Sequence, residues 1–218
     1  MKFSKIGNFR ILRKGLILSY AILAGAIIIS MRFAPYGIIA GVFFGLLSAI
    51  VFWFYRHPHR NSDASENTVI SPADGQIVEI SYIEDDFVGD SIRIGIFMDV
   101  FDVHVNRAIF DCQYLRGEYT KGKFLRASMN KAPFVNEQMH HFFNTRKGRM
   151  KIIQIAGLLA QRIDSILKPG DRLKRGDVIG MIQFGSRVDI VIPDDAKALV
   201  KIGDKVKAGE SEMAVFNG

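Results

Sequence analysis

The first 62 residues contain no acidic residue, although eight Lys and Arg occur among them. The other 21 of the 29 basic residues are balanced by 22 Asp and Glu, so the rest of the chain is close to neutral. The formal net charge of +7 therefore belongs to the N-terminal stretch. A positive charge confined to the neighbourhood of apolar segments favours an anionic membrane surface over nucleic acid as the partner.

Cysteine is equally scarce, since Cys112 is the single one. No disulfide can form within the chain, which fits a reducing compartment. A thiol nucleophile is disfavoured because Cys112 lies in a polar, strand-like stretch without a clear partner. His140 and His141 are adjacent in a polar stretch, but the sequence offers too few further ligands for a metal. We interpret them as surface histidines and predict no metal site.

Two uncharged apolar segments, 15–31 and 36–55, follow one another near the N-terminus. Each is near the length at which a helix crosses a hydrocarbon core of about 30 Å, and Pro35 should end the first helix. We predict a membrane-anchoring helical hairpin that forms a domain of residues 1–56. Basic residues at its outer ends predict a cell-membrane protein whose N-terminus and whose chain after Arg56 lie on the cytoplasmic face. A shallow hairpin that does not cross, and a buried hairpin of a soluble domain, remain alternatives.

From Val69 onward the pattern is typical of β structure, with short apolar runs at 76–83, 91–98 and 103–109. An internal repeat follows, because the GD-x-[LV]-x-x-G pattern of Lys168–Gly176 returns 33 positions later. Two such turn–strand–turn units are similar to lipoyl and biotinyl carrier modules. We therefore predict a mostly β (α+β) fold, in which the helical hairpin precedes a β-sandwich domain, 57–218, with a lipoyl-like C-terminal repeat.

A Gly-Ser dipeptide, Gly185-Ser186, lies between the two repeat units, where a carrier module would present its modified lysine. The serine oxygen can attack the preceding carbonyl carbon and convert the amide into an ester. β-Elimination then leaves a dehydroalanine, which hydrolyses to a pyruvoyl group and ammonia. Glycine on the acyl side leaves the carbonyl unhindered and permits a strained backbone. A membrane-tethered lipoyl-like module without chemistry remains the alternative of a different class.

Several motifs resemble those of the phosphatidylserine decarboxylase family, in particular its short, pyruvoyl-dependent members. In chain order they are Tyr55-Arg-His-Pro-His-Arg60, Ser71-Pro-Ala-Asp-Gly75, Phe101-Asp-Val-His-Val-Asn-Arg107, Gln154-Ile-Ala-Gly157 and Phe184-Gly-Ser-Arg-Val-Asp189. The resemblance covers about residues 52–216. Two departures stand out. Phe101 replaces a second histidine that many members have, and Asn144-Thr-Arg-Lys-Gly148 stands where many have an Asn-Glu-Arg stretch.

The resemblance implies self-cleavage between Gly185 and Ser186 into a β chain, 1–185, and an α chain, 186–218, that stay together as a heterodimer. It implies a covalent pyruvoyl cofactor made from Ser186, which would form a Schiff base with phosphatidylserine and release CO2 and phosphatidylethanolamine. It also implies that His104 is the base of the processing step and that Asp74 orients it. Archaetidylserine or a soluble amino acid remains an alternative substrate. Arg187 is either a ligand for a substrate anion or a solvated charge.

Overall fold

The structure is a computed structural model that describes residues 3–32, 36–122, 135–157, 163–182 and 186–217. The chain divides into two compact units, Met1–Pro58 and His59–Gly218. The described part of the first unit is largely helical and that of the second is built from strands. The prediction of a mostly β protein with two N-terminal helices is therefore confirmed.

The first unit consists of α1, Phe3–Arg32, and α2, Tyr36–Phe54. The two helices contact each other closely, because Ser48 donates its hydroxyl hydrogen to the Ser19 carbonyl over 3.0 Å and Ser19 Oγ lies 3.4 Å from the Ser48 carbonyl oxygen. Gly15 lies so close to Tyr55 that an added Cβ would be 2.4 Å from that side chain. Small residues thus allow the hairpin to close.

Only one of the two helices has the length and composition of a membrane span among the described residues. It is α2, whose segment Gly37–Phe54 is 18 residues long and leaves most of its surface exposed. The apolar stretch of α1, Gly15–Ile29, is shorter, and the helix continues towards its N-terminus through charged residues. The expectation that each segment is about long enough to cross is therefore met by the second alone, since a crossing helix needs about 17–25 apolar residues.

Fourteen strands occur in the described part of the second unit. They are β1 (Thr68–Ile70), β2 (Gly75–Asp85), β3 (Gly89–Met98), β4 (Val105–Arg107), β5 (Cys112–Thr120), β6 (Gln138–Thr145), β7 (Gly148–Ile155), β8 (Ile163–Ser165), β9 (Arg172–Leu173), β10 (Val178–Ile182), β11 (Ser186–Pro193), β12 (Ala196–Ala198), β13 (Lys205–Val206) and β14 (Glu212–Phe216).

These strands form one eight-stranded sheet, in the order β13-β2-β3-β11-β7-β6-β5-β9, and two three-stranded sheets, β1-β14-β12 and β4-β10-β8. Alternate residues of β11 face opposite sides of the large sheet, as a strand requires. Val188, Ile190 and Ile192 belong to the main hydrophobic core. Val191 belongs instead to a small cluster with Ile153 and Ile155.

The second unit is an internal duplication, which the sheet orders reveal. The sheet β1-β14-β12 corresponds to β4-β10-β8, and the half-sheet β13-β2-β3-β11 corresponds to β9-β5-β6-β7. Backbone hydrogen bonds repeat in the same way. For example, Arg107 N donates to Pro72 O over 2.9 Å, and Ile70 N donates to Ile109 O over 3.1 Å. Two copies of one strand pattern therefore share the central pairing of β11 with β7.

The repeat seen in the sequence forms two equivalent loops at opposite edges of the large sheet. Asp171 Oδ2 accepts a hydrogen bond from Lys168 N over 2.8 Å, and Asp204 Oδ2 accepts one from Lys201 N over 2.9 Å. Each loop contains two glycines with positive φ, namely Gly170 and Gly176 in the first and Gly203 and Gly209 in the second. The two copies of the sequence repeat thus share the predicted turn–strand–turn form. Their likeness to a lipoyl module stays a prediction.

One copy of the duplicated pattern is inserted into the other. Strands β4 to β10 lie in the chain between Met98, the end of β3, and Ser186, the start of β11. Ser186 and Met98 nevertheless pair across the sheet. In the inserted copy the equivalent strands, β6 and β7, are joined by a tight hairpin between Thr145 and Gly148. Ser186 therefore marks the point at which the chain returns from the inserted copy to the outer one.

Gly75 is a position at which the fold requires glycine. Its φ is +150°, and an added Cβ would lie 2.1 Å from the Phe97 carbonyl oxygen. Gly89 also has a positive φ, +90°, but open space surrounds it.

We predict that Gly75→Ala lowers the free energy of unfolding by clearly more than the strain of about 1–3 kcal/mol expected for Gly89→Ala. Urea unfolding of the full chain in detergent measures both, and equal losses would contradict the Phe97 contact.

Candidate active site

Three segments meet at the end of strand β3. Ser186 pairs with Met98, and its hydroxyl lies 3.5 Å from the Met98 sulfur. The side-chain amide nitrogen of Asn106 lies 3.8 Å from the same sulfur. Asp74 lies in the third segment. The next residue, Gly75, lies against the backbone of Phe97, the residue before Met98. Residues distant in the sequence therefore converge where the inserted copy begins and ends.

Ser186 is fully buried and is the first residue of β11. This strand has hydrogen-bonded neighbours on both edges, β3 and β7, so its backbone has little freedom. Gly185, the predicted acyl side of the cleavage site, lies outside the described residues. Self-cleavage at the Gly185–Ser186 bond therefore stays a prediction at this point, although the serine is firmly held.

His104 is also fully buried, and its Nδ1 lies 2.9 Å from the backbone carbonyl oxygen of Asp102. Because a carbonyl only accepts hydrogen bonds, Nδ1 carries the hydrogen in the neutral ring and Nε2 carries the lone pair. The His104 carbonyl accepts a hydrogen bond from Ile182 N over 3.3 Å, four residues before Ser186. The histidine thus has the tautomer of a general base, and its backbone lies beside the segment that leads to the serine.

Asp74 is buried and binds two partners. Its Oδ1 accepts a hydrogen bond from Ala208 N over 2.8 Å, and its Oδ2 accepts one from the Arg60 guanidinium over 2.9 Å. The duplication explains the first bond, since Asp111 Oδ1 in the inserted copy accepts the equivalent bond from Arg175 N, also over 2.8 Å. Asp74 therefore fastens a loop, as its counterpart does. Its predicted role in orienting His104 stays a prediction.

Asp102 adds negative charge to this region, and the sequence analysis did not single it out. Burial raises the pKa of its carboxyl, the charges of Asp74 and Asp99 raise it further, and a hydrogen bond from Asp99 N together with the charge of Lys205 opposes this. The carboxylates of Asp74 and Asp102 are thus close enough to interact. The sequence analysis missed Asp102 because its contact with the His104 ring is made by the backbone carbonyl and depends on the conformation of the loop.

Arg187 is neither a solvated charge nor on the same sheet face as Ser186. It is buried on the opposite face, where it donates hydrogen bonds to Asp189 and Glu79 over 2.5 Å each. Burial opposes its charge, but the two carboxylates outweigh this effect and raise the pKa of Arg187. Arg93 donates to Asp189 over 2.8 Å and completes an ion cluster that ties β11 to β2 and β3. The arginine is therefore a structural anchor of the strand that Ser186 begins.

The interpretation of the two adjacent histidines as surface residues is wrong for His141, which is fully buried, while His140 is half-buried. His141 Nε2 lies 2.8 Å from Gln154 Oε1. Burial lowers the pKa of His141 to about 4, so the ring is neutral at physiological pH. Within the described ranges, no group of three or more His, Cys, Asp or Glu side chains could hold a metal ion.

Burial raises the pKa of Cys112 to about 12, so its thiol is protonated at physiological pH. The second departure from the family motifs, at Asn144, lies at the exposed end of β6. A different asparagine contacts the Gln154–Gly157 segment. Asn136 donates its amide hydrogen to Ala156 O over 2.7 Å, and Ala156 N donates to Glu137 O over 2.9 Å. The sequence analysis missed Asn136, because its partner is close only in the folded chain.

Comparison with known proteins identifies the family. The family model for phosphatidylserine decarboxylase matches residues 47–214. A phosphatidylserine decarboxylase proenzyme of Geobacter metallireducens is 40% identical over 205 residues, which cover 90% of this chain and 94% of the relative. A proenzyme of the same name from Magnetococcus marinus is 39% identical, over 91% of this chain and 92% of the relative. Another, from Syntrophus aciditrophicus, is 40% identical, over 78% of this chain and 82% of the relative. The chain therefore belongs to the phosphatidylserine decarboxylase family, as its motifs predicted.

Proposed function

We propose that this protein decarboxylates phosphatidylserine to phosphatidylethanolamine and CO2, with a pyruvoyl group that it makes from its own Ser186. The observation that carries the proposal is the position of Ser186, which is fully buried at the start of the central strand β11 with the His104 backbone beside the segment that leads to it. The relatives' name, proenzyme, supports a processing step. The extensive alignment with these relatives disfavours a carrier module without chemistry.

In the processing step, Ser186 Oγ attacks the carbonyl carbon of Gly185 while His104 takes the hydroxyl proton. The carbonyl electrons move onto its oxygen and return as the carbon–nitrogen bond breaks, so the amide becomes an ester and the nitrogen gains the proton. Removal of the Ser186 α-proton then expels the Gly185 carboxylate, the end of the β chain, and leaves a dehydroalanine. Water replaces its nitrogen, which departs as ammonia, and the α chain begins with a pyruvoyl group.

The surroundings of Ser186 fit such a group, because Ser186 is fully buried, the Met98 sulfur lies 3.5 Å from its hydroxyl, and the Asn106 amide nitrogen lies 3.8 Å from the same sulfur. The pyruvoyl carbonyl supplies an electron sink for the electrons that remain when CO2 departs. His104 is the residue that we assign to protonate the substrate Cα afterwards. The Asp102 backbone carbonyl accepts the hydrogen of His104 Nδ1 and holds the ring in place. We therefore assign His104 Nε2 to both proton transfers, the one in self-cleavage and the one in decarboxylation.

Association of the two chains after cleavage follows from the interlocked duplication. Strand β11 of the α chain would remain hydrogen bonded to β3 and β7 of the β chain, and β14 would remain paired with β1. Two ion pairs, Arg187 with Glu79 and Arg93 with Asp189, also cross from one chain to the other. We infer a heterodimer that separates only on unfolding.

We further infer that the catalytic domain lies on the cytoplasmic face of the cell membrane and that anionic lipid is its partner. The apolar helix α2 supports membrane association. The basic, acid-free flanks of the hairpin support the orientation. A lipid substrate hardly exists free in water, so an anchor that keeps the enzyme at the bilayer raises the concentration at which the two meet.

Replacing Ser186 tests the cleavage site. Ser186→Ala should abolish both cleavage and decarboxylation, because alanine has no oxygen for the acyl shift. Ser186→Cys should still cleave, more slowly, since a thiol can perform the same shift. Intact mass and a denaturing gel of the purified full chain measure the products. A small C-terminal fragment in the alanine variant would show that another bond is cut.

The duplication offers a matched control for Asp74. Asp74→Asn and Asp111→Asn each remove a carboxylate that accepts a loop N–H and pairs with a cation, Arg60 or Lys174. If Asp74 stabilises protonated His104, only Asp74→Asn should slow cleavage, by about a hundredfold, as His104→Ala should. The ratio of uncut to cut chain with time after synthesis measures this. Equal rates for the two Asp variants would limit Asp74 to its structural bond.

Protease protection tests the orientation. In cells that express the chain with a C-terminal epitope, protease added from outside should leave the epitope intact. The same protease should remove it from inverted membrane vesicles, where the cytoplasmic face is exposed. Loss of the epitope from intact cells would place the catalytic domain on the outer face and contradict the positive-inside inference.

A further inference from the structure

A chain of buried hydrogen bonds leads from strand β6 to the serine. His141 Nε2 lies 2.8 Å from Gln154 Oε1, and Gln154 Nε2 lies 2.7 Å from Asn106 Oδ1. Asn106 Nδ2 lies 3.8 Å from the Met98 sulfur, which the Ser186 hydroxyl also contacts over 3.5 Å. All five side chains are fully buried. Three polar residues from three strands thus form one line that ends at the proposed reaction centre.

The direction of these bonds follows from their two ends. If both amides were turned round, the Asn106 oxygen would face the Met98 sulfur, so two acceptors would be in contact. His141 would then carry its hydrogen on Nδ1, which has no hydrogen-bond partner among the described residues. A buried N–H without an acceptor is rarer in proteins than an acceptor without a donor. His141 therefore donates to Gln154, Gln154 donates to Asn106, and Asn106 presents its NH2 group towards the Met98 sulfur.

The inserted copy contains this polar line, and the outer copy contains apolar residues at the equivalent places. Asn106 is the middle residue of β4, and Val69 is the middle residue of the equivalent β1. Gln154 and Ile192 are each the seventh residue of equivalent strands, β7 and β11.

His141 completes the comparison. His141 pairs with Ile152 in the inserted copy, and Ile94 pairs with Ile190 in the outer copy. His141 and Ile94 each lie four residues before the end of their strand, so they are equivalent. Val69, Ile192 and Ile94 are fully buried in the main core. The same strand pattern therefore folds with valine and isoleucine at these three positions. Burial of a polar group costs free energy even when it is hydrogen bonded, so folding does not explain the polar line.

We propose that Asn106 donates a hydrogen bond to the oxygen that gains negative charge when Ser186 attacks the preceding carbonyl, and that Gln154 and His141 are positioning residues that hold its amide in this orientation. The inference rests on the proposed self-cleavage and assigns a further residue to it. In the tetrahedral intermediate this oxygen is two bonds from Ser186 Oγ, because both atoms are bound to the same carbon. The Asn106 amide nitrogen and Ser186 Oγ contact the same Met98 sulfur, over 3.8 and 3.5 Å, and this shared contact is the observation that carries the assignment.

The contact with Met98 leaves the amide available. A thioether sulfur is a weak acceptor, so the N–H groups of Asn106 lose little when a charged oxygen takes its place. Loss of one such donor typically slows acyl chemistry by about a hundredfold to a thousandfold. Because burial keeps His141 neutral, its hydrogen bond, and the amide orientation that depends on it, persist over the pH range of the reaction.

The outer copy supplies the test variant. We expect the triple variant Asn106→Val, Gln154→Ile and His141→Ile to unfold at the same or a higher urea concentration than the wild type, because it copies a pattern the fold already uses. Its self-cleavage should nevertheless be at least about a hundredfold slower. A structural role would lower both stability and cleavage, whereas a functional role lowers cleavage alone. Cleavage is followed on a denaturing gel after synthesis of the full chain.

Asn106→Asp provides a second readout that does not depend on repacking. Aspartate has nearly the same shape and still accepts the bond from Gln154, but its ionised form cannot donate. Burial raises the pKa of such a carboxyl, so its protonated form, which can donate, is populated as the pH falls. The cleavage rate of the variant relative to the wild type should therefore rise as the pH falls. A ratio that does not change with pH would contradict the donor role.

The outcomes separate this inference from the function on which it rests. A wild-type chain that stays uncut would overturn the proposed function and the inference with it. A wild type that is cut, together with Asn106 variants that are folded and cut at the wild-type rate, would overturn the inference alone. Gln154→Ile and His141→Ile, as single changes, should each slow cleavage less than the loss of Asn106. Slower cleavage in either single variant than in the triple variant would contradict their positioning role.

Discussion

The backbone hydrogen bonds along both edges of β11 are the constraint on which the rest of the structure depends. They join the outer copy of the duplicated pattern, through β3, to the inserted copy, through β7. The same bonds hold Ser186 at the end of β3 and would keep the α chain in place once the covalent link is gone. A central strand can lose its covalent attachment at one end and remain bound, because its neighbours on both edges still satisfy its backbone groups.

Duplication separates what the fold requires from what the chemistry requires. Asp74 and Asp111 accept equivalent loop hydrogen bonds, so a carboxylate at that place is explained by folding alone. The buried polar line of Asn106, Gln154 and His141 has no polar counterpart in the other copy. In one chain, therefore, one half acts as an internal reference for the other. The polar line that distinguishes the two halves ends at the Met98 sulfur, which the Ser186 hydroxyl also contacts.

Much of this organisation could be predicted because it is local in the sequence. The uncharged segments, the β pattern and the GD-x-[LV]-x-x-G repeat predicted the two helices, the strands and the two equivalent loops. The ordered motifs predicted the family and named Ser186, His104 and Asp74. Prediction failed where burial depends on distant strands. His141 follows another histidine in a polar stretch and was taken for a surface residue, yet Gln154 provides it with a partner in the interior.

The sequence by itself determined the helical hairpin, the β character of the remainder and the residue types available for chemistry, because periodicity and turn residues act over a few neighbouring positions. Only the tertiary structure decided which side chains meet. The insertion of one copy into the other brings Met98 beside Ser186 and the Asn106 amide beside Met98, and alternation along β11 directs Arg187 to the opposite face. Such contacts arise from strand pairing over long separations in the chain, and no local pattern specifies that pairing.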